Sequence, residues 1–298
     1  MGLEMRAVVL GEPEYPELLK VLSDAPDPLY VAGRLDNRPA VALVGSRQPT
    51  PYGVRMARHL SGELARAGLA IVSGLARGID TQSHQAALDA GGITWAVLGS
   101  GLDRVYPAEN EALARRIVEK GGCVMSEFPS GAPPLPDHFP RRNRIIAALS
   151  WVTVVVEGRL RSGSLITARL AAELGREVLA VPGPVDSALS EAPNLLLSQG
   201  AGAAVGASAV IGALPPGVEL YARGLSDDFV EAPAARLPME QLKILECLST
   251  ETLSLEQLGH RLGIDLPSLA YILFNMELQD LIVPVPGQRY AKKTFIRC

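Results

Sequence analysis

Residues 40–53 read AVALVGSRQPTPYG, and the reading of this stretch decides the fold. Five apolar residues in a row, without polar alternation, describe a strand covered on both faces, as strands of a parallel sheet are. Gly45-Ser46-Arg47 then turns the chain. Thr50 can cap a helix and Pro51 suits its first turn, so a helix is predicted to follow at once. A strand that runs through a small, polar turn into a helix is the repeating unit of a doubly wound sheet. Such sheets bind their ligands outside the C-terminal ends of the strands.

The unit recurs along the chain. Further unbroken apolar runs predict strands at Leu69–Val72, Ile93–Leu98, Cys123–Met125, Trp151–Val156 and Glu177–Val181. Amphipathic stretches between them predict helices at Pro51–Ala67, Ile79–Ala90, Ala108–Lys120, Arg142–Leu149 and Leu165–Leu174. Gly68, Gly91 and Gly175 stand where left-handed helix caps belong. The expected class is α/β, a doubly wound, mostly parallel sheet. Composition shifts near residue 212 to a stretch rich in Pro, Gly and acid, read as a linker. Beyond it, three short helical patterns (MEQLKILECL, SLEQLGHRLG, LPSLAYILFNMELQDL) precede LIVPVPGQRYAK, which reads as two strands around a Gly turn. That order predicts a small winged helix. The expected division is a short N-terminal segment (1–28), an α/β domain (29–211), a linker (212–237) and a winged-helix domain (238–298).

The 298 residues carry a net charge of −4, which taken globally argues against nucleic acid. The distribution argues otherwise. From Arg34 to Arg77 seven Arg face two acids, and from Arg141 to Arg161 five Arg face one. Of 28 basic residues, 23 are Arg, whose guanidinium can grip a phosphate bidentately. No run approaches the roughly 18 apolar residues of a membrane span, and the first residues lack a secretory pattern. Three scattered cysteines suggest neither a disulfide framework nor a metal pair, so a cytoplasmic location is expected.

Five turns could carry chemistry. Gly45, Ser46 and Arg47 combine backbone access, a hydroxyl and a charge before a helix N-terminus. Ser73, Gly74 and Arg77 repeat the combination in VSGLARGID, where Asp80 is either a first-turn helix acid or a partner of Arg77. In LGSGLDRVYP, Arg104 replaces the third glycine of a dinucleotide fingerprint, so no nicotinamide or flavin cofactor is expected. Tyr106-Pro107 reads as packing for the next helix. In LPDHFPRRNRIIAALS, Phe139 could stack a base or staple the helix start, with Arg141, Arg142 and Asn143 beside it. Three arginines so close cannot share one face, and Arg144 reads as structural. In VVVEGRLRSGSLITA, Ser162, Gly163, Ser164 and Thr167 surround a helix N-terminus, with Arg159 and Arg161 in the same loop. This is not a Walker loop, since no Lys precedes Ser or Thr. No turn decides alone; several strand ends with one chemistry would form a groove for a chain of phosphates.

Catalytic constellations are poor. The four His show no metal spacing, no nucleophile elbow appears, and His84 reads as structural. Glu127 and Glu157 are the best candidate acids, without a clear partner for either. Two competing readings are a nucleotide-processing enzyme on the same fold and a transcription regulator with a ligand-sensing α/β domain. The first lacks its P-G-G-x-G-T-x-x-E motif. The second sits badly with the C-terminal stretch, where from Arg236 to Cys298 seven basic residues meet seven acids. A neutral winged helix is a poor autonomous DNA binder.

Together, VGSRQPTPYG, SGLARGID, LGSGLDRVYP, FPRRNRIIAALS, EGRLRSGSLITA and VLAVPG resemble the DNA-processing protein A family (DprA, also called Smf), over roughly residues 15–205. The resemblance implies an extended Rossmann-like domain that binds single-stranded DNA without catalysis. It implies a role in natural transformation, protecting incoming DNA and loading the RecA recombinase, with single-strand-binding protein as a further partner. It also implies a homodimer formed through the Rossmann-like domain. The family's contacts map to Gly45–Arg47, Phe139 and its neighbours, and Ser162–Ser164. Two departures stand out. A sterile-alpha-motif-like domain is expected to be absent or truncated, since few residues precede the first predicted strand. Pro136 stands where some members have Lys, so Arg141 or Arg142 is expected to substitute.

Overall fold

The computed structural model describes residues 4–218, 220, 239–248, 252–278, 281–285 and 289–292. The chain divides into two compact units between residues 224 and 225.

The first unit is built on one nine-stranded sheet. Its strands are β1 (Arg6–Val8), β2 (Leu29–Gly33), β3 (Ala40–Val44), β4 (Ala70–Ser73), β5 (Thr94–Val97), β6 (Cys123–Ser126), β7 (Val152–Val155), β8 (Glu177–Ala180) and β9 (Gly202–Ala203). They lie in the order β1-β2-β6-β5-β4-β3-β7-β8-β9. From β6 to β9 all neighbours are parallel, whereas β2 runs antiparallel to both β6 and β1. The chain leaves β3 toward β4 on one side and leaves β7 toward β8 on the other. The switch point of the sheet therefore lies between β3 and β7, where an open α/β sheet forms its crevice.

Successive residues of β3 point to opposite faces. Ala40, Ala42 and Val44 enter a core with α4 (His138–Leu149) and α5 (Gly163–Glu173), while Val41 and Leu43 enter a core with α1 (Pro51–Arg66) and α2 (Ile79–Asp89). Both faces are covered, which is why the strand reads as a continuous apolar run. α3 (Glu111–Glu119) packs beside α2 over the β5–β6 edge. α6 (Glu191–Ser198) and α7 (Ala207–Gly212) complete the two layers. Helix α1 starts as its sequence predicts: the Thr50 hydroxyl accepts from the Gly53 amide, and Pro51 fills the first turn. Ala57, Leu60 and Leu64 then follow at helical spacing and are fully buried. Gly68, Gly91 and Gly175 have φ of 89°, 71° and 66°, in the left-handed region expected of them.

Several expectations are corrected. Two strands, Arg6–Val8 and Leu29–Gly33, precede the first predicted one at Ala40–Val44, and they pair with each other. The short 3-10 turn Glu17–Val21 buries Leu19, and the buried Tyr15 hydroxyl donates to the Pro26 carbonyl. Val8, Tyr15, Leu19 and Leu22 join the core on one face of the sheet. Helix α3 is preceded by a 3-10 turn (Ala108–Asn110). α4 and α5 begin four and two residues earlier than predicted, at His138 and Gly163. Proline is tolerated in a first helical turn, so Pro140 does not delay α4. α6, β9 and α7 were not predicted.

The second unit contains α8 (Met239–Cys247), β10 (Leu253–Ser254), α9 (Leu255–Leu262), α10 (Leu266–Leu278), β11 (Ile282–Val285) and β12 (Arg289–Lys292). Its three strands pair antiparallel in the order β10-β12-β11. Ile244, Leu258, Leu269, Leu273 and Ile282 form its core. A capping box, Ser254 with Gln257, starts α9, and Gly263 ends it at φ 65°. Three helices and a two-stranded wing match the winged helix expected here. Most of the predicted linker, residues 221–237, and the predicted Gly turn, residues 286–288, lie outside the described residues.

His84 gives this architecture a pH signature. It is fully buried on α2, with Nδ1 2.6 Å from the Thr94 hydroxyl oxygen. That hydroxyl donates to the Ile71 carbonyl, so His84 Nδ1 must carry the proton, and buried Nε2 has no partner. Burial, helped by the nearby Arg142 charge, pushes the imidazole from 6.5 down to about 3. The unfolded chain therefore binds one more proton between these values. Stability should fall as pH drops from about 6.5 toward 3, by up to about 1.4 kcal/mol per pH unit from this group. Urea unfolding of the parent and His84→Gln should show a shallower pH dependence in the variant; equal slopes would sink the assignment.

Candidate nucleic-acid interface

Five loops at the C-terminal strand ends converge on an open groove of about 960 Å³. The lining includes Gly45–Gln48 after β3, Ala76 and Arg77 after β4, and Tyr106 after β5. It continues through Phe139, Arg142 and Asn143 of α4, then Arg159–Thr167 around the start of α5, from which Ser162, Gly163, Ser164 and Thr167 face it. A smaller cavity adjoins it, walled by Arg47, Gly74, Arg77, Tyr106, Phe139 and Arg142.

Each loop is fixed by bonds beneath it. After β3, the Ser46 hydroxyl accepts from the Gln48 amide at 3.1 Å, and the Ser46 carbonyl accepts from the Ile79 amide at 3.0 Å. Arg47 is exposed and stands 5.6 Å over the Phe139 ring, a cation–π arrangement. Around α5, the Ser162 and Ser164 hydroxyls bond to each other at 2.8 Å. The Asn143 amide and the Thr167 hydroxyl both donate to the Gly163 carbonyl, each at 3.3 Å. The N-terminal turn of α5, the positive end of its dipole, faces the groove.

The predicted residues separate into those that face the groove and those beneath it. Ser73 is fully buried, and its hydroxyl donates to the Leu43 carbonyl; it ties β4 to β3 and does not line the groove. Arg142 is almost fully buried. Its Nη1 donates to the Gly74 carbonyl at 2.7 Å and also to the Val97 carbonyl, joining the ends of β4 and β5. Burial pushes its guanidinium down to about 10, with Asp80 pulling the other way, so it stays charged at neutral pH. It forms a cationic floor and is not free to grip a strand. Arg141 is turned away: it pairs with Glu127 at 2.8 Å and lies over Phe128. Arg141, expected at the DNA contact, does not line the groove. Arg144 is structural as expected, bridging Asp24 and Glu127 at 2.8 and 2.9 Å.

Asp80 does not pair with Arg77. It is buried, and its carboxylate accepts from the Gly74 and Ala76 amides. Burial pushes the carboxyl up, opposed by Arg142 and those amides. Arg77 is instead held by both oxygens of Glu109, each at 2.8 Å. The best candidate catalytic acids are occupied. Glu127 is taken by Arg141 and Arg144, and Glu157 accepts from the amide and hydroxyl of Thr50. Among the described residues no His, Cys, Asp and Glu cluster could hold a metal.

Tyr106, Arg159 and Arg161 line the groove, although none was singled out as a site residue. Arg159 and Arg161 were visible as charges in a turn. Tyr106 was read as packing because it precedes a proline, yet it is 46% exposed. Arg47, Arg159 and Arg161 have no acidic partner among the described residues, and Asp80 is the one acid of the lining. The groove is thus strongly cationic in a chain of net charge −4.

Fold and site together define a Rossmann-like protein with an anion-receiving groove at its switch point and a winged helix behind it in sequence. The chain belongs to the DNA recombination-mediator protein A family, whose model matches residues 6–215; the DprA winged helix domain model matches residues 231–288. It is 39% identical to Protein Smf of Escherichia coli over 275 residues, covering 92% of this chain and 74% of that protein. It is 41% identical to the DNA processing protein DprA of Bacillus subtilis over 214 residues, covering 71% and 72%. The X-ray structure of DprA from Streptococcus pneumoniae superposes with a TM-score of 0.67 at 40% identity, over 71% of this chain and 75% of that one. DNA processing protein A from Helicobacter pylori, whose structure was described for its single-stranded DNA binding mode, gives 0.64 at 30% identity, over 70% and 95%.

Gly74 tests the floor of the site. A Cβ there would lie 2.4 Å from the Arg142 guanidinium. Gly74→Ala should push Arg142 off its two carbonyls and cost about 1–3 kcal/mol in urea unfolding. A variant as stable as the parent would show that Arg142 can move without loss.

Proposed function

We propose that the groove holds single-stranded DNA and that the protein, without catalysis of its own, delivers the strand to a RecA-type recombinase during natural transformation. The observation that carries the reading is the combination of Arg47, Arg159 and Arg161, without acidic partners among the described residues, with two aromatic rings, Tyr106 and Phe139, at one set of strand ends. Phosphates need the cations and the helix N-terminus; unpaired bases need the rings. A duplex keeps its bases stacked inside and offers nothing to the aromatics. Non-catalysis is supported by the engagement of Glu127 and Glu157 beneath the surface, where neither faces a substrate. The family's description as a recombination mediator, and the binding mode for which the Helicobacter relative was described, support the same reading.

Protection of incoming DNA, homodimerisation through the Rossmann-like domain and contact with single-strand-binding protein belong to this proposal on family grounds. The site residues proposed to touch DNA are Gly45, Ser46, Arg47, Arg77, Phe139, Asn143, Ser162, Gly163, Ser164 and Thr167, with Gly74 and Arg142 acting from beneath. The winged helix takes an accessory role, since the seven basic and seven acidic residues from Arg236 to Cys298 give it no net attraction for phosphate. No helix among the described residues is long and apolar enough to cross a membrane.

Fluorescence anisotropy with an unstructured oligonucleotide, repeated over a salt series, tests the reading. Arg47→Ala should weaken binding roughly tenfold whatever the sequence, and reduce the salt slope by about 0.7, one phosphate contact on a single strand. Unchanged affinity with the fold intact would remove the site assignment. Glu109→Gln should act in the opposite direction. Arg77 spends its Nε and Nη2 donors on Glu109, and releasing them to a phosphate should tighten binding about two- to fivefold.

A further inference from the structure

We propose that Tyr106 is a second base-stacking platform beside Phe139, so that the groove seats two successive bases at this point and not one. The inference rests on the reading that the groove holds single-stranded DNA. Phe139 is hemmed in. A Cβ on Gly99 would come within 3.0 Å of its ring, Arg47 lies 5.6 Å from its centroid, and Tyr106 lies at 5.6 Å on a further side. Tyr106 has the freer surface, at 46% exposure, and it borders both the groove and the small cavity behind it.

The geometry decides how the two rings share the work. A base slipped between two rings would need parallel planes roughly 7 Å apart, twice the stacking distance. Here the centroids are 5.6 Å apart and the planes are tilted by 49°. The pair cannot sandwich one base; each ring offers a face of its own, at an angle to the other. A strand passing over them must splay two neighbouring bases, one to each ring. The cations stand where the connecting phosphates would pass, with Arg47 over Phe139 and Arg77 on the loop after β4. Tyr106 touches Phe139 yet keeps 46% of its surface exposed at the rim of a groove that also carries Arg47, Arg159 and Arg161.

Two oligonucleotides separate stacking from charge: an oligo-dT, and a strand of equal length with abasic sites in place of its bases. Tyr106→Leu in the full chain should bind oligo-dT about tenfold more weakly, as loss of one stacked base does, with an unchanged salt slope. On the abasic strand the same variant should match the parent. Tyr106→Phe should match the parent on both strands, because the ring and not the hydroxyl does the binding. Arg47→Ala should weaken both strands. Parent-like affinity of Tyr106→Leu for oligo-dT, equal weakening on both strands, or loss in Tyr106→Phe would each overturn the proposal while leaving the groove reading intact. If the unaltered chain does not bind oligo-dT, the groove reading falls and this proposal with it.

Discussion

A buried carboxylate joins the two halves of this sheet. Glu157, just past β7, is 2% exposed and accepts from both the amide and the hydroxyl of Thr50, on the loop that leaves β3. A carboxylate so buried has to be satisfied by hydrogen bonds, and the chain supplies them across the switch point. Gly53 keeps the space clear, since a Cβ there would sit 2.2 Å from a carboxylate oxygen. The two loops on either side of the crevice are thereby one mechanical piece. Arg47 projects from one and Arg159 from the other, so their spacing is set by a bond that neither makes.

The same separation runs through the arginines. Burial, not residue type, decides what each does. Arg142 and Arg144 lie under the surface and spend their donors on carbonyls and carboxylates. Arg77 is exposed but committed to Glu109. Arg47, Arg159 and Arg161 keep their charge available among the described residues. A scaffold of fixed cations beneath a layer of free ones holds positive potential in the groove while leaving the contacts adjustable.

The sheet was legible because both faces are covered. Continuous apolar runs and helix start signals located β3 to β8 within a residue or so. β1 was not legible, since three residues, Arg-Ala-Val, carry no period; β9 has two residues and α7 six, too few for a clear period either. At the site, the turns of Gly, Ser and Arg marked the correct strand ends, but sequence cannot tell which way a side chain leaves its loop. Ser73 and Arg142 were drawn inward by unpaired carbonyls, and Arg141 was drawn sideways by Glu127. Tyr106 was missed for a related reason: an aromatic before a proline resembles packing until its exposure is seen.

The five loops that build the groove come from positions spread between residues 45 and 167. In sequence they stand among acids that leave the whole chain a net charge of −4. Their convergence on one groove is a property of the folded state. By mass action, any strand that occupies the groove stabilises the fold by an amount set by its concentration over its dissociation constant. Any ligand of this groove would act, in effect, as a folding cofactor for the α/β unit.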